Sequence, residues 1–159
     1  MEGRILLERS FVNVYTKFKM NYYRKIFSRF ETREAHLTAV ETFCVEVIHA
    51  LGEPTVNEFA QYVSISQPNA THKIQNLIKK GYVEKIQSDS DRREFTLKVT
   101  DKYFQYYNVS NNYVLTVMKR MRERFSTEEI ATFTNVLRIM SEELMTEVAL
   151  GDLQLPGVE

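Results

Sequence analysis

One change of period constrains this chain more than any other feature. Through Gly81 the apolar residues recur at three- and four-residue steps, which marks helices. Tyr82–Ile86 and Glu94–Val99 then read as strands, the second alternating Phe95, Leu97 and Val99. After Tyr103 the helical step returns. The polar run Gln-Ser-Asp-Ser-Asp-Arg-Arg between the strands predicts a hairpin tip. A single hairpin set among helices leaves few folds open.

The helices before the hairpin are short and sharply bounded. Thr38-Ala-Val-Glu41 and Thr55-Val-Asn-Glu58 are capping boxes, in which a Thr hydroxyl and a Glu carboxylate each accept from the other's backbone amide. The first opens a helix with Val40, Phe43, Val47 and Leu51 as its expected core stripe, stopped by Gly52 and Pro54. The second opens a helix with Val56, Phe59, Ala60 and Val63 inward. After a break at Ser64-Ile65, Ser66 is expected to cap a helix with Ala70, Ile74, Leu77 and Ile78 inward, ending at Gly81; Pro68 is tolerated in its first turn. Two short helices in succession form a helix-turn-helix, and the attached hairpin makes it a winged helix.

Longer helices flank this centre. Leu7, Phe11, Val14, Tyr15, Phe18, Tyr22, Ile26 and Phe30 form one stripe of a long amphipathic helix. Tyr103 to about Arg124 reads as another helix. A third capping box, Ser126-Thr-Glu-Glu129, starts a last one with Ile130, Phe133, Leu137, Met140, Leu144 and Val148 on one side, stopped by Gly151. These arms hold more apolar surface than the centre can cover, which predicts burial against a second copy. The expected fold is mostly α with a small β-hairpin wing: residues 36–102 as the winged helix-turn-helix, and residues 1–35 and 103–159 as dimerisation helices, all in one folded unit.

Composition excludes other classes. At 159 residues two enzyme-sized domains do not fit, and with five Gly and three Pro a turn-rich β sandwich is disfavoured. A lone cysteine closes no internal disulfide, and no CxxC or HxxxH pair offers a zinc site, so neither metal nor cofactor is expected. The opening MEGRILLERSFVNVYTKFKM carries charge every few residues and reads as neither signal peptide nor membrane span. A soluble cytoplasmic protein is the expectation. No nucleophile–base pair, carboxylate pair or phosphate loop stands at useful spacing, so no enzyme is expected.

The zero net charge hides a division. Residues 1–35 hold eight basic and four acidic side chains, 36–65 hold four Glu and no Lys or Arg, and 66–102 hold eight basic and five acidic. Residues 103–122 add three basic side chains, and 123–159 hold eight acidic and two basic. A basic middle suits an anionic partner such as nucleic acid, although solvated helix faces account for the same counts.

Three stretches together resemble the multiple-antibiotic-resistance regulator (MarR) family of bacterial transcription factors: Leu37-Thr38, ISQPNATHKIQNLIKKGYVEK from Ile65 to Lys85, and Asp89-Ser-Asp91-Arg92-Arg93 with Phe95–Thr100. The resemblance spans nearly the whole chain. It implies a homodimer with interlocked terminal helices, placing two winged helices on a pseudo-palindromic operator in double-stranded DNA. The chain departs from the family in lacking a Gly soon after Thr100, in carrying Lys73 where an apolar residue is frequent, and in carrying His72 where Arg is common.

Within that frame Ser66, Gln67, Asn69, Thr71, His72, Lys73 and Asn76 are the DNA-contacting candidates of the recognition helix. Gln and Asn can pair with adenine, and Thr can meet the thymine methyl; the competing reading is ordinary surface polarity. The family's Asp-x-Arg motif implies that Arg93 reads the minor groove with Asp91 orienting it, while Arg92 meets phosphate. Lys79, Lys85 and Lys98 are further phosphate candidates. Tyr15, Phe18, Tyr22, Tyr103 and Tyr107, with Tyr23 and Tyr106, come from helices that enclose a ligand cleft in the family, so a small aromatic or apolar effector is one expectation and plain dimer core the other. Cys44 reads as a buried thiol, and His36 and His49 as solvent-facing or capping residues. The sequence thus points to a DNA-binding regulator, with a ligand- or redox-responsive adaptor carrying a vestigial wing as the alternative.

Overall fold

In the computed structural model residues 2–31, 37–87 and 94–151 are described, with backbone alone at 2–5, 29–31 and 106–111. Seven α-helical or π-helical elements and one hairpin follow in order among them. They are α1 (Glu2–Glu31), α2 (Ala39–Leu51), α3 (Val56–Tyr62), α4 (Gln67–Lys79), β1 (Val83–Gln87), β2 (Phe95–Val99), α5 (Asp101–Arg124), α6 (Thr127–Ile139) and a π turn at Met140–Leu144.

All three capping boxes form. Thr38, Thr55 and Ser126 each accept from the amide of a Glu three residues on, and each Glu accepts from the cap amide in return. Gly52 closes α2 in the left-handed region at φ 69°. Ser64, at φ 55°, makes the tight corner between α3 and α4. Ser66 stands at the N-cap position of α4, but its hydroxyl makes no capping bond.

The core is the winged helix. Val45, Ile48, Phe59, Ala70, Ile74, Leu77, Val83, Leu97 and Tyr103 gather from α2, α3, α4, both strands and α5. The strands pair antiparallel from Val83 opposite Val99 to Gln87 opposite Phe95. On its other edge β2 meets the α2–α3 connection: the Leu97 amide donates to Pro54 O at 2.8 Å, and Thr96 bridges Thr55.

Several expectations need correction. The core stripe of α2 is not Val40–Phe43–Val47–Leu51. Val40 and Phe43 are 53% and 51% exposed, and Thr42, Cys44, Val45, Ile48 and His49 are buried instead. This helix is apolar almost all round, so its periodicity does not fix which side faces inward. His49 is not solvent-facing: it is 8% exposed, with its ring 5.2 Å from Tyr103 and 5.5 Å from Phe104. The last helix does not reach Val148. It passes into the π turn at Met140, and residues 145–151 are non-helical. Glu142, Glu143 and Glu147 would sit at the negative end of the helix dipole, where further negative charge is disfavoured.

The terminal helices behave differently. Ile26 is buried on α1, but Leu7, Phe11, Val14 and Tyr15 of its stripe are exposed, and α6 has no buried residue. Among the described residues no helix is long and apolar enough to cross a membrane.

Candidate nucleic-acid interface

The outward side of α4 is built by what its inward side must bury. Ala70, Ile74 and Leu77 are fully covered, which turns Pro68, Asn69, His72 and Gln75 away from the core and leaves Thr71 and Asn76 half-buried at its edges. Gln67, Pro68, Thr71, His72 and Gln75 line one shallow open depression. Asn76 Nδ2 lies 3.5 Å from His72 Nε2, on the other side of that row.

Gln75 was not among the residues singled out by sequence. It stands four positions after Thr71 and three after His72, so helical spacing alone places it beside them. Ser66 is exposed at the start of the same face. Lys73 is different: it is half-buried on the flank toward α2, where its charge acts on the Cys44 thiol. Burial pushes that thiol's pKa up, Lys73 pulls it down, and Glu41 adds to the rise, leaving it raised. Cys44 is therefore a buried, poorly ionised thiol, as expected.

The far end of α4 is fastened from two sides. Lys80 Nζ donates to Glu41 Oε2 at 2.7 Å, tying α4 to the first turn of α2. Burial pushes the Glu41 carboxyl up, but the Lys80 ammonium and the Thr38 amide and hydroxyl outweigh it and hold it below the ordinary range. Lys102 Nζ donates to Lys80 O at 2.8 Å while lying 4.6 Å from the centre of the Tyr82 ring. Thr100 donates its hydroxyl to Gly81 O at 2.7 Å. A helix end normally leaves such carbonyls unpaired, and here the residues that lead into α5 satisfy them. The C-terminal end of α4 is thus fastened to α2 on one side and to the start of α5 on the other.

At the hairpin, Lys85 is exposed and Lys98 pairs with Glu53 at 3.2 Å. Asp91, Arg92 and Arg93 lie outside the described residues, as does His36.

The aromatic candidates do not share one surroundings. Tyr103 is fully buried in the core. Phe18 meets Tyr113 edge-on at 5.6 Å, and Tyr15 is 56% exposed with Lys19 over its ring. Tyr22 donates to Glu46 Oε1 at 2.8 Å. The side chains of Tyr106 and Tyr107 lie outside the described residues. An open groove beside α1 is lined by Lys17, Met20, Asn21, Tyr23, Arg24, Phe27 and Tyr113. Of the expected cleft residues whose side chains are described, only Tyr23 is among them. No group of three His, Cys, Asp or Glu side chains gathers as metal ligands among the described residues.

A helix-turn-helix fastened to a two-stranded wing admits comparison with known families. Residues 37–95 match the MarR family model. Residues 37–95 form a winged helix similar to that of the MarR family. The likeness of fold extends over the arms. FabT from Streptococcus pneumoniae, solved in complex with DNA, is 20% identical with a TM-score of 0.56, over 89% of this chain and 99% of that one. The transcriptional regulator Tm0710 from Thermotoga maritima is 16% identical with a TM-score of 0.59, over 89% and 95%. A MarR family protein from Bacillus stearothermophilus is 18% identical with a TM-score of 0.60, over 91% and 98%. No curated protein sequence matches the chain. The MarR match ends at Phe95, so it covers α2 to the start of β2 and leaves the arms to the structural likeness.

Proposed function

We propose that this MarR-type chain is a transcriptional regulator that binds duplex DNA as a homodimer, without catalysis. The observation that carries the reading is the outer face of α4. Gln67, Asn69, His72 and Gln75 stand exposed, with Thr71 and Asn76 half-buried beside them, on a helix whose opposite side is packed into the core, beside a hairpin. A rigid helix with such a face fits the major groove, where Gln and Asn recognise adenine and Thr the thymine methyl. Ser66, its hydroxyl not used in capping, suits a phosphate at the helix start, where the dipole favours negative charge. Lys73 is assigned to a flanking phosphate.

Arg93 is proposed to enter the minor groove from the wing tip, oriented by Asp91, with Arg92 on phosphate. Residues 1–35 and 103–159 are proposed as the dimerisation arms and 36–102 as the DNA-binding unit. Two copies then address a pseudo-palindromic operator in the cytoplasm, most simply as a repressor. The DNA in the FabT complex supports a nucleic-acid partner. Release by a small aromatic or apolar effector is proposed at the α1 side of the expected cleft, around Tyr15, Phe18 and Tyr22, since Tyr103 is buried in the core.

Selection of genomic fragments with the purified chain tests the reading. Enrichment of a few sites with a shared inverted repeat, with affinity falling steeply as salt rises, is the expected outcome. A flat salt response and no enriched sequence would refute it and point instead to an adaptor acting through protein contacts.

A further inference from the structure

The turn after α2 is strained, and a distant part of the chain holds it. Gly52 and Glu53 stand consecutively in the left-handed region, at φ 69° and 61°. Glu53 carries a Cβ there, a conformation that is unfavourable for a side-chain-bearing residue and persists only where surroundings enforce it. Two contacts enforce it on the wing side. Glu53 Oε1 is 3.2 Å from Lys98 Nζ, and Pro54 O accepts from the Leu97 amide at 2.8 Å. The turn is therefore the outer rail on which β2 rests.

The third contact comes from beyond the π turn. The Gly151 amide donates to Ala50 O at 2.9 Å, in the last turn of α2. The approach is so close that a Cβ on residue 151 would lie 2.5 Å from Leu51 O and 2.6 Å from Gly52 Cα. Both are backbone atoms, so no side chain can swing aside to make room. Leu144, Met145, Val148 and Leu150 remain exposed along the same segment, so docking is made by backbone rather than by apolar burial. That explains why the position is a glycine.

We propose that residues 145–151 are a strap that clamps the Leu51–Pro54 turn and thereby sets the base of the wing. The strap runs from the end of the α6 arm to the rail beneath β2, so it couples the arm to the hairpin through one contiguous path of backbone contacts. Its bearing on DNA affinity rests on the function proposed above; the clamp itself does not.

Hydrogen exchange of the full chain tests the clamp without DNA. Two variants are compared with the parent: Gly151→Ala, which adds the clashing Cβ, and a chain ending at Leu150, which removes the contact altogether. Both should raise exchange of the Gly52 and Leu97 amides by about tenfold while the Ile74 and Leu77 amides in α4 stay protected. Unchanged exchange at Gly52 and Leu97 in the shortened chain would overturn the clamp. Loss of protection in α4 as well would also overturn it, because the segment would then support the whole fold rather than the wing base. Failure of the parent chain to bind any duplex would defeat the DNA reading and leave the exchange result to judge the strap.

Discussion

Glu46 is a carboxyl in the wrong solvent. It sits half-buried where α2 meets α1, and burial pushes its pKa up to about 7 while the Tyr22 hydroxyl, donating at 2.8 Å, pulls the other way. In the unfolded chain the group returns to the ordinary carboxylate range near 4.5. A raised carboxyl pKa means the folded state holds the proton more tightly. Its contribution is full below the unfolded value and is lost as pH rises through the folded one, a loss on the order of 3 kcal/mol. Glu46→Gln keeps an acceptor for Tyr22 and removes the titration. Thermal melts at pH 5.5 and 8.5 should show the parent less stable at the higher pH and the variant nearly level. Parallel slopes would place the pH dependence on another group. A residue-scale effect is expected on the outer face of α4 too, where DNA contact is proposed. Gln67→Ala should weaken a selected operator by ~1–3 kcal/mol and leave random duplex unaffected, as measured by titration at fixed salt. Equal losses on both duplexes would mean that Gln67 meets only backbone.

At the scale of elements, the parts legible in the sequence are those set by local chemistry. Capping boxes at Thr38, Thr55 and Ser126 act over three residues, and each formed where its spelling stood. Ala70, Ile74 and Leu77 were readable because α4 is polar on its other side. The phase of α2 was not readable, since nearly every position of AVETFCVEVIHAL suits a core. Nor was the place of His49, because its burial depends on Tyr103 and Phe104, far away along the chain. Gln75 needed only the helical step. The ion pair of Lys80 with Glu41 joins residues 39 positions apart and has no local signal. It can be weighed by substitution. Glu41 is mostly covered and Lys80 about a third exposed, so Lys80→Met should cost about 1 kcal/mol at neutral pH in urea unfolding. Glu41 titrates below its ordinary range, so its contribution is present above the unfolded value and lost as pH falls through the folded one. The gap between parent and Lys80→Met should therefore close in acid. A gap that persists once the carboxyl is protonated would mean the Lys80 stem, not its charge, supports α4.

At the scale of the molecule, one copy leaves its arms unfinished. α6 spans 13 residues and buries none of them, and an isolated helix of that length is marginal in water. Phe133, Val136 and Leu137 lie exposed along it, while Leu7, Phe11, Val14 and Tyr15 lie exposed along α1. Surfaces of this kind rarely stay bare in water. The charge division supplies a direction, because residues 1–35 carry an excess of basic side chains and 123–159 an excess of acidic ones. A second copy that sets its α6 against α1 of the first would cover both stripes and match both charges, and the two-fold arrangement repeats the contact. Folding of the arms should then be linked to association, so Tm should rise with protein concentration. Sedimentation at micromolar concentration should give a dimer, weakened by salt to the extent that the opposed charges steer it. Replacing Phe133 and Leu137 together by Asp should yield monomers that lose helical signal from the arms yet keep the buried winged-helix core. A parent chain that sediments as a monomer at that concentration, with a Tm independent of dilution, would break the link between the arms and a partner.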